Sequence, residues 1–182
     1  MEFLNRNNCV FVLVDVQENI FPAIHDKEIL RNNLKKLLLG IQTLNVPIIV
    51  TEQYSKGLGV TLPELSGLLK VYEPIEKITF SCFGEEKFQH QLTGFGRNQI
   101  LVAGIEAHIC VYQTCRELDN NGFDVHLITD CIGSRDPKNK ELAISKLQNE
   151  YNIALTTSEM LLFELLKIAG SQEFKTISQI VK

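Results

Sequence analysis

Six short apolar runs punctuate this 182-residue chain, and between most of them lie stretches with helical periodicity. They read "VFVLV" (10–14), "VPIIV" (46–50), "PIEKI" (74–78), "QILVA" (99–103), "DVHLIT" (124–129) and "YNIAL" (151–155). Most are rich in Val and Ile and do not alternate apolar with polar residues. That is the pattern of strands buried on both faces of a parallel sheet. The connecting segments carry helix signals. "DKEILRNNLKKLLLGIQTL" sets Ile29, Leu30, Leu34, Leu37, Leu38 and Ile41 on one stripe. "EAHICVYQTCRELDNNG" ends in Asn and Gly, where a helix stops. "DPKNKELAISKLQNE" opens with an Asp cap and a first-turn Pro, and "TTSEMLLFELLKIAG" with a Thr/Ser cap and an early Glu159. This alternation predicts a three-layer α/β/α domain, a six-stranded parallel sheet between helices. No repeat, linker or low-complexity tract interrupts it, so a single domain over residues 1–182 is expected.

Residues 51–74, "TEQYSKGLGVTLPELSGLLKVYEP", break the rhythm with Gly57, Gly59 and Pro63. Long connections in compact domains are usually functional or mobile. In an open α/β sheet the ligand crevice lies outside the C-terminal strand ends, so this loop is expected to lie over the site.

The charge balance narrows the partners. With 18 basic and 22 acidic residues the formal charge is −4, and the basic residues are scattered. Neither nucleic acid nor an anionic membrane is expected as a partner. No apolar run approaches the roughly 18 residues needed to cross a bilayer. Five cysteines, an odd number without a CxxC pair, point to free thiols in a reduced, cytoplasmic protein and not to structural zinc.

Polar residues just past each strand are the candidates for chemistry: Asp15, then Glu52 and Gln53, Lys77, Glu106 with His108 and Cys110, and Asp130 with Cys131 and Arg135. Asp15, at the end of a buried strand, is either a turn residue or a partly desolvated carboxylate that calls for a cation. Lys77 is either a surface strand lysine or that cation. Cys110 falls in the first turn of the helix after the fourth strand, where free N–H groups and the helix dipole favour a thiolate and can hold an oxyanion. It can equally be a small apolar residue filling a core, as Cys9 and Cys115 are expected to be. His108, two residues from Cys110, does not face it on a helix and is not expected to act as its base. His25, His90 and His126 have no partner pattern, and no metal is implied. Phe21, Gln53, Tyr54, Phe80, Phe83 and Tyr112 are candidates to line a pocket or to fill the core.

Three segments, "VLVDVQ" with Asp15, "EKITFSCF" with Lys77 and "LVAGIEAHICVYQTC" with Cys110, resemble in order and spacing the signature segments of the isochorismatase-like cysteine hydrolases. The resemblance runs from about residue 9 to 180 and is nearest to the isochorismatase domain-containing branch. It implies a six-stranded parallel Rossmann-like sheet and an Asp15–Lys77–Cys110 triad that needs no cofactor. In that triad Cys110 attacks, Asp15 moves the proton, and Lys77 holds Asp15 and favours the thiolate. It implies an oxyanion hole from the N–H groups of Glu106 and Cys110, set by a cis Ile105–Glu106 bond. It also implies a homo-oligomer, a dimer or larger, in which "EMLLFELLKIAG" is either an interface or a core helix. Two departures narrow the substrate. The Asp-x-His metal motif of nicotinamidases is replaced by "TEQY", and Cys110 stands where isochorismatases that cleave a vinyl ether generally lack a cysteine. The expected activity is hydrolysis of a small amide or related C–N bond through a Cys thioester. The alternatives are vinyl ether hydrolysis with Asp15 as acid, and a non-catalytic small-molecule-binding or redox-sensing module.

Overall fold

A computed structural model describes residues 3–182. Six strands, β1 (Cys9–Val14), β2 (Ile48–Gln53), β3 (Ile75–Lys77), β4 (Gln99–Ile105), β5 (Asp124–Gly133) and β6 (Ala154–Thr156), form one sheet in the order β3-β2-β1-β4-β5-β6. Every pairing is parallel. The helices are α1 (Lys27–Thr43), α2 (Ser55–Leu58), α3 (Pro63–Ser66), α4 (Glu86–Gly94), α5 (Tyr112–Asn120), α6 (Pro137–Glu150), α7 (Ser158–Leu166) and α8 (Gln172–Ile180).

Strand β1 shows why the runs do not alternate. Cys9, Phe11 and Leu13 face one core with the apolar sides of α1, α7 and α8, whereas Val10, Val12 and Val14 face a second core with α4, α5 and α6. Both faces are dry, so both must be apolar. The segment "EMLLFELLKIAG" belongs to the first core through Leu161, Leu162, Leu165 and Leu166, which identifies α7 as a core helix. The stripe on α1 is buried apart from Ile29, which is 62% exposed at the first turn.

Strand β5 is longer than its apolar run. Its pairing with β4 shifts from Val102↔Leu127 to Gly104↔Ile132, so extra β5 residues are taken up beside the irregularity. Polar Asp130 hides this extension in the sequence. Cys131 is therefore inside the strand and buried, not at a strand end.

The chain leaves β1 toward β2 and leaves β4 toward β5, so β1 and β4 flank the topological switch point, and a crevice opens beyond their C-terminal ends. Gly104 makes their close approach feasible. At φ +145° any Cβ there would lie 2.2 Å from the Val14 carbonyl oxygen. Gly104→Ala should therefore lower the free energy of unfolding by about 3 kcal/mol, through backbone strain and overpacking. Gly94→Ala, with nothing within 4 Å of the added methyl, should be neutral or slightly stabilising. Urea unfolding midpoints of the two variants check this.

Candidate active site

Asp15, Tyr54 and Glu106 are the residues that directly follow β1, β2 and β4, and all three have left-handed backbones, with φ of 53°, 41° and 49°. Non-glycine residues enter this region at a cost of about 1–2 kcal/mol each. Three of them at adjoining strand ends mark a constrained rim. The expected cis bond at Ile105–Glu106 is absent, since that peptide is trans. The chain turns there instead through Glu106 at φ 49°, ψ 67°, and enters a π turn over Ala107–Val111 that continues as α5.

Inside the rim, Lys77 is fully enclosed. Its ammonium lies 2.7 Å from Asp15 Oδ2 and donates to Gln53 Oε1 at 2.9 Å and to the Thr79 and Phe80 carbonyls at 3.0 Å each. Thr51 donates its hydroxyl to the other Asp15 oxygen at 2.8 Å. Asp15 Oδ2 takes the ammonium as an ion pair. The Cys110 thiol donates to Gln53 Oε1 at 3.3 Å. Gln53 is itself pinned, because buried Gln17 accepts from its backbone N–H and donates to its carbonyl and to that of Gly59. Those bonds also fasten the 54–61 loop, whose Tyr54 and Leu58 wall the crevice.

The crevice encloses about 240 Å³. Cys110 and Asp15, almost buried, form its floor, with Arg135 at its mouth. Its walls are mainly apolar: Ile20, Leu58, Phe80, Ile105 and Ile109. A larger cavity of about 420 Å³ lies between α1 and the start of α6, but it holds no thiol, and both oxygens of its Asp130 are occupied by Ser158. The smaller one brings a carboxylate and a thiol together, Asp15 and Cys110. Residues 9–159 match the family model for the isochorismatase domain.

This chain belongs to the isochorismatase family. Isochorismatase domain-containing protein 2 from Danio rerio is 34% identical over 179 residues, covering 98% of this chain and 89% of that relative. The secreted isochorismatase effector Isc1 of Phytophthora sojae is 32% identical over 180 residues, with 97% and 85% covered. Among solved structures, the MAR1 ribonuclease of Caenorhabditis elegans superposes with a TM-score of 0.92 at 30% identity, over 99% and 92% of the two chains. Escherichia coli YcaC, an octameric hydrolase of unknown specificity, shares the fold at a TM-score of 0.92 and 22% identity, over 99% and 91%.

Within this isochorismatase-family site, the strand-end residues divide. Asp15, Gln53, Lys77, Glu106, Cys110 and Arg135 come together. Glu52 does not, for it is turned away and buried against Thr61 and Tyr72. Asp130 caps α7 through Ser158. His108 faces Ser134 and Glu106, not Cys110. Of the candidate pocket residues, Gln53, Tyr54 and Phe80 line the crevice. Three do not. Phe21 is buried in the core beneath Arg31, Phe83 packs edge-on against Phe123, and Tyr112 packs against Tyr151 and Arg116. Ile20, Leu58 and Ile109 take the wall positions instead, and as ordinary aliphatics they leave no signal in the sequence. Thr51 is equally silent. Among the described residues no group of three or more His, Cys, Asp or Glu side chains is placed to hold a metal ion, and no helix is long and apolar enough to cross a membrane.

The electrostatics correct one expectation. Burial pushes the Cys110 thiol well above its ordinary range, Asp15 adds to this, and Lys77 only partly opposes them. At neutral pH the resting group is thus a thiol, not a preformed thiolate. Burial alone would lower Lys77, but Asp15 with Cys82 and Cys110 outweighs it, and Lys77 is raised. Other buried thiols follow suit: burial pushes Cys9 up to about 12 and Cys82 up to about 11. Groups raised in the folded chain add stability that is complete below their unfolded pKa and is lost as pH climbs through the folded one. For the thiols the loss begins near 9.0, the ordinary value. The urea midpoint should therefore fall steadily from about pH 9 to 11; a flat midpoint over that window would contradict the burial of these thiols.

Proposed function

We propose that this chain is a cofactor-free cysteine hydrolase that cleaves a small amide, carbamoyl or related C–N bond through a thioester on Cys110. The observation that carries this is the enclosed Asp15–Lys77 pair at 2.7 Å, set beside a thiol on the floor of a small apolar crevice. Cys110 Sγ attacks the carbonyl carbon while its proton passes to the neighbouring Asp15 carboxylate. With the Ile105–Glu106 bond trans, we assign the oxyanion to backbone N–H groups at the start of the π turn, that of Cys110 first among them. An oxyanion-hole donor is worth about 3–4 kcal/mol of barrier in other hydrolases. Asp15 then hands its proton to the departing nitrogen, and the amine leaves. Water attacks the thioester with Asp15 again taking the proton, the acid departs, and the thiol is restored. Lys77 holds Asp15 in place and offsets the negative charge as it moves from carboxylate to sulfur. Its donors are all spoken for by protein acceptors, so it does not touch the substrate.

The C. elegans relative is named a ribonuclease, which makes RNA the competing substrate. A crevice of about 240 Å³ with apolar walls does not suit it. Among the described residues its lining offers a single cation open to solvent, Arg135, too little positive charge to follow a phosphate backbone. The proposal includes self-association, supported by exposed Val71, Ile78 and Phe80 in the segment around β3 and by the octameric state of YcaC.

Asp15 and Lys77 push the Cys110 thiol in opposite directions, which gives a sharp test. In Asp15→Asn the ammonium acts on the thiol unopposed, so iodoacetamide should label Cys110 faster at neutral pH. Hydrolysis of a short-amide panel should fall by about 10²–10⁴, the usual worth of a general acid–base group. In Lys77→Met labelling should slow. If both variants shift labelling in the same direction, the charge assignment is wrong.

A further inference from the structure

The side-chain amide of Gln53 is shared by the buried ion pair and the thiol. Its Oε1 accepts from the Lys77 ammonium at 2.9 Å and from the Cys110 thiol at 3.3 Å. A carbonyl oxygen offers two lone pairs, so both are in use. The other end of the amide fixes which way it faces. Nε2 donates to the Ile78 carbonyl at 2.9 Å, and a flipped amide would aim its N–H groups at an ammonium and a thiol. Gln17 clamps the backbone on both sides, through the Gln53 N–H at 2.8 Å and the Gln53 carbonyl at 3.0 Å.

The two donors do not depend on this oxygen equally. Lys77 has three N–H donors and four partners, Asp15, Gln53 and the Thr79 and Phe80 carbonyls, so without Gln53 it keeps a partner for each donor. The thiol has one donor. Asp15 lies beside it and raises it, but the hydrogen bond goes to Gln53. Without that bond Sγ is free to turn about the Cα–Cβ axis. Resting on the hydrolase proposal, we propose that Gln53 is the positioning residue of Cys110. It is a neutral acceptor that holds Sγ in the rotamer from which the sulfur reaches a bound carbonyl carbon and passes its proton to Asp15. An amide oxygen is too weak a base to take that proton, so the hold leaves the nucleophile intact.

Two electrophiles, with adducts mapped to Cys110, separate position from reactivity. Acylation by p-nitrophenyl acetate forms an S–C bond at a carbonyl carbon and releases p-nitrophenolate. It needs Sγ aligned with the oxyanion donors and with Asp15 as the proton passes. Alkylation by iodoacetamide forms an S–C bond at an open methylene and releases iodide, with no oxyanion to hold. Both rates follow the readiness of the thiol to ionise, so their ratio reads alignment. Gln53→Met removes the acceptor at similar length and keeps the Gln17 clamp, which grips backbone. The Ile78 carbonyl it abandons is in reach of water, since Ile78 is exposed. This variant should lower the acylation-to-alkylation ratio about tenfold, as a nucleophile free to turn loses its near-attack geometry. Gln53→Glu keeps an acceptor and should restore most of the ratio, while its added charge slows both reactions. A Gln53 that only props Lys77 would lower both rates alike in Gln53→Met and leave the ratio unchanged. That result, or a ratio as low in Gln53→Glu as in Gln53→Met, would overturn the inference and leave the hydrolase proposal standing. If p-nitrophenyl acetate leaves Cys110 of the unaltered protein untouched, the hydrolase proposal falls and takes this inference with it.

Discussion

The ion pair between Asp15 and Lys77 is the constraint around which the rest of the site is arranged. Both groups are out of water, and isolated buried charges cost several kcal/mol each unless paired and hydrogen-bonded. The fold meets that demand from four directions: Thr51 on one carboxylate oxygen, and Gln53 with two backbone carbonyls on the ammonium. Because Asp15, Thr51 with Gln53, and Lys77 come from or directly follow β1, β2 and β3, the pair also ties three strand ends into one plane of contacts. The π turn after β4 then brings Cys110 to the same spot.

The site is held in a strained form by the well-packed structure below it. Three left-handed residues at the rim are each unfavourable, and each is over-determined by its neighbours. Asp15 is held by its ionic and hydroxyl partners, Tyr54 by a backbone bond from its N–H to the Lys77 carbonyl, and Glu106 by Arg135 and His108. Gln17 fastens the crossing loop against Gln53 and Gly59, which holds it along one wall of the crevice.

Much of this was legible in the sequence because it follows from periodicity and position. Runs buried on both faces dictate a parallel sheet, a parallel sheet dictates crossover helices, and the switch point dictates where a site forms. Asp15, Lys77 and Cys110 stand out as polar residues at ends of apolar runs. What was not legible depends on side-chain direction or on backbone angles. Glu52 and Gln53 are neighbours in a strand and must point to opposite faces, yet nothing in "TEQY" says which one enters the site. Phe21 and Ile20 pose the same problem, and the aliphatic of the pair lines the crevice. A left-handed Glu106 leaves no mark in "GIEAH". Asp130 masked the last four residues of β5 by interrupting its apolar run.

The charge state of Cys110 shows why position alone misleads. A helix start and a nearby lysine argue for a thiolate, but burial and the adjacent carboxylate outweigh them. In the proposed mechanism the nucleophile is therefore activated as it reacts, with Asp15 as the acceptor, and the thioester becomes the defining species. Its formation can be read directly by brief exposure to p-nitrophenyl acetate at neutral pH, acid quench, and peptide-mapped mass spectrometry. The account predicts an acetyl group on Cys110 before any of the other four cysteines, and none at that peptide in Cys110→Ala. Acetylation elsewhere while Cys110 stays free would contradict it.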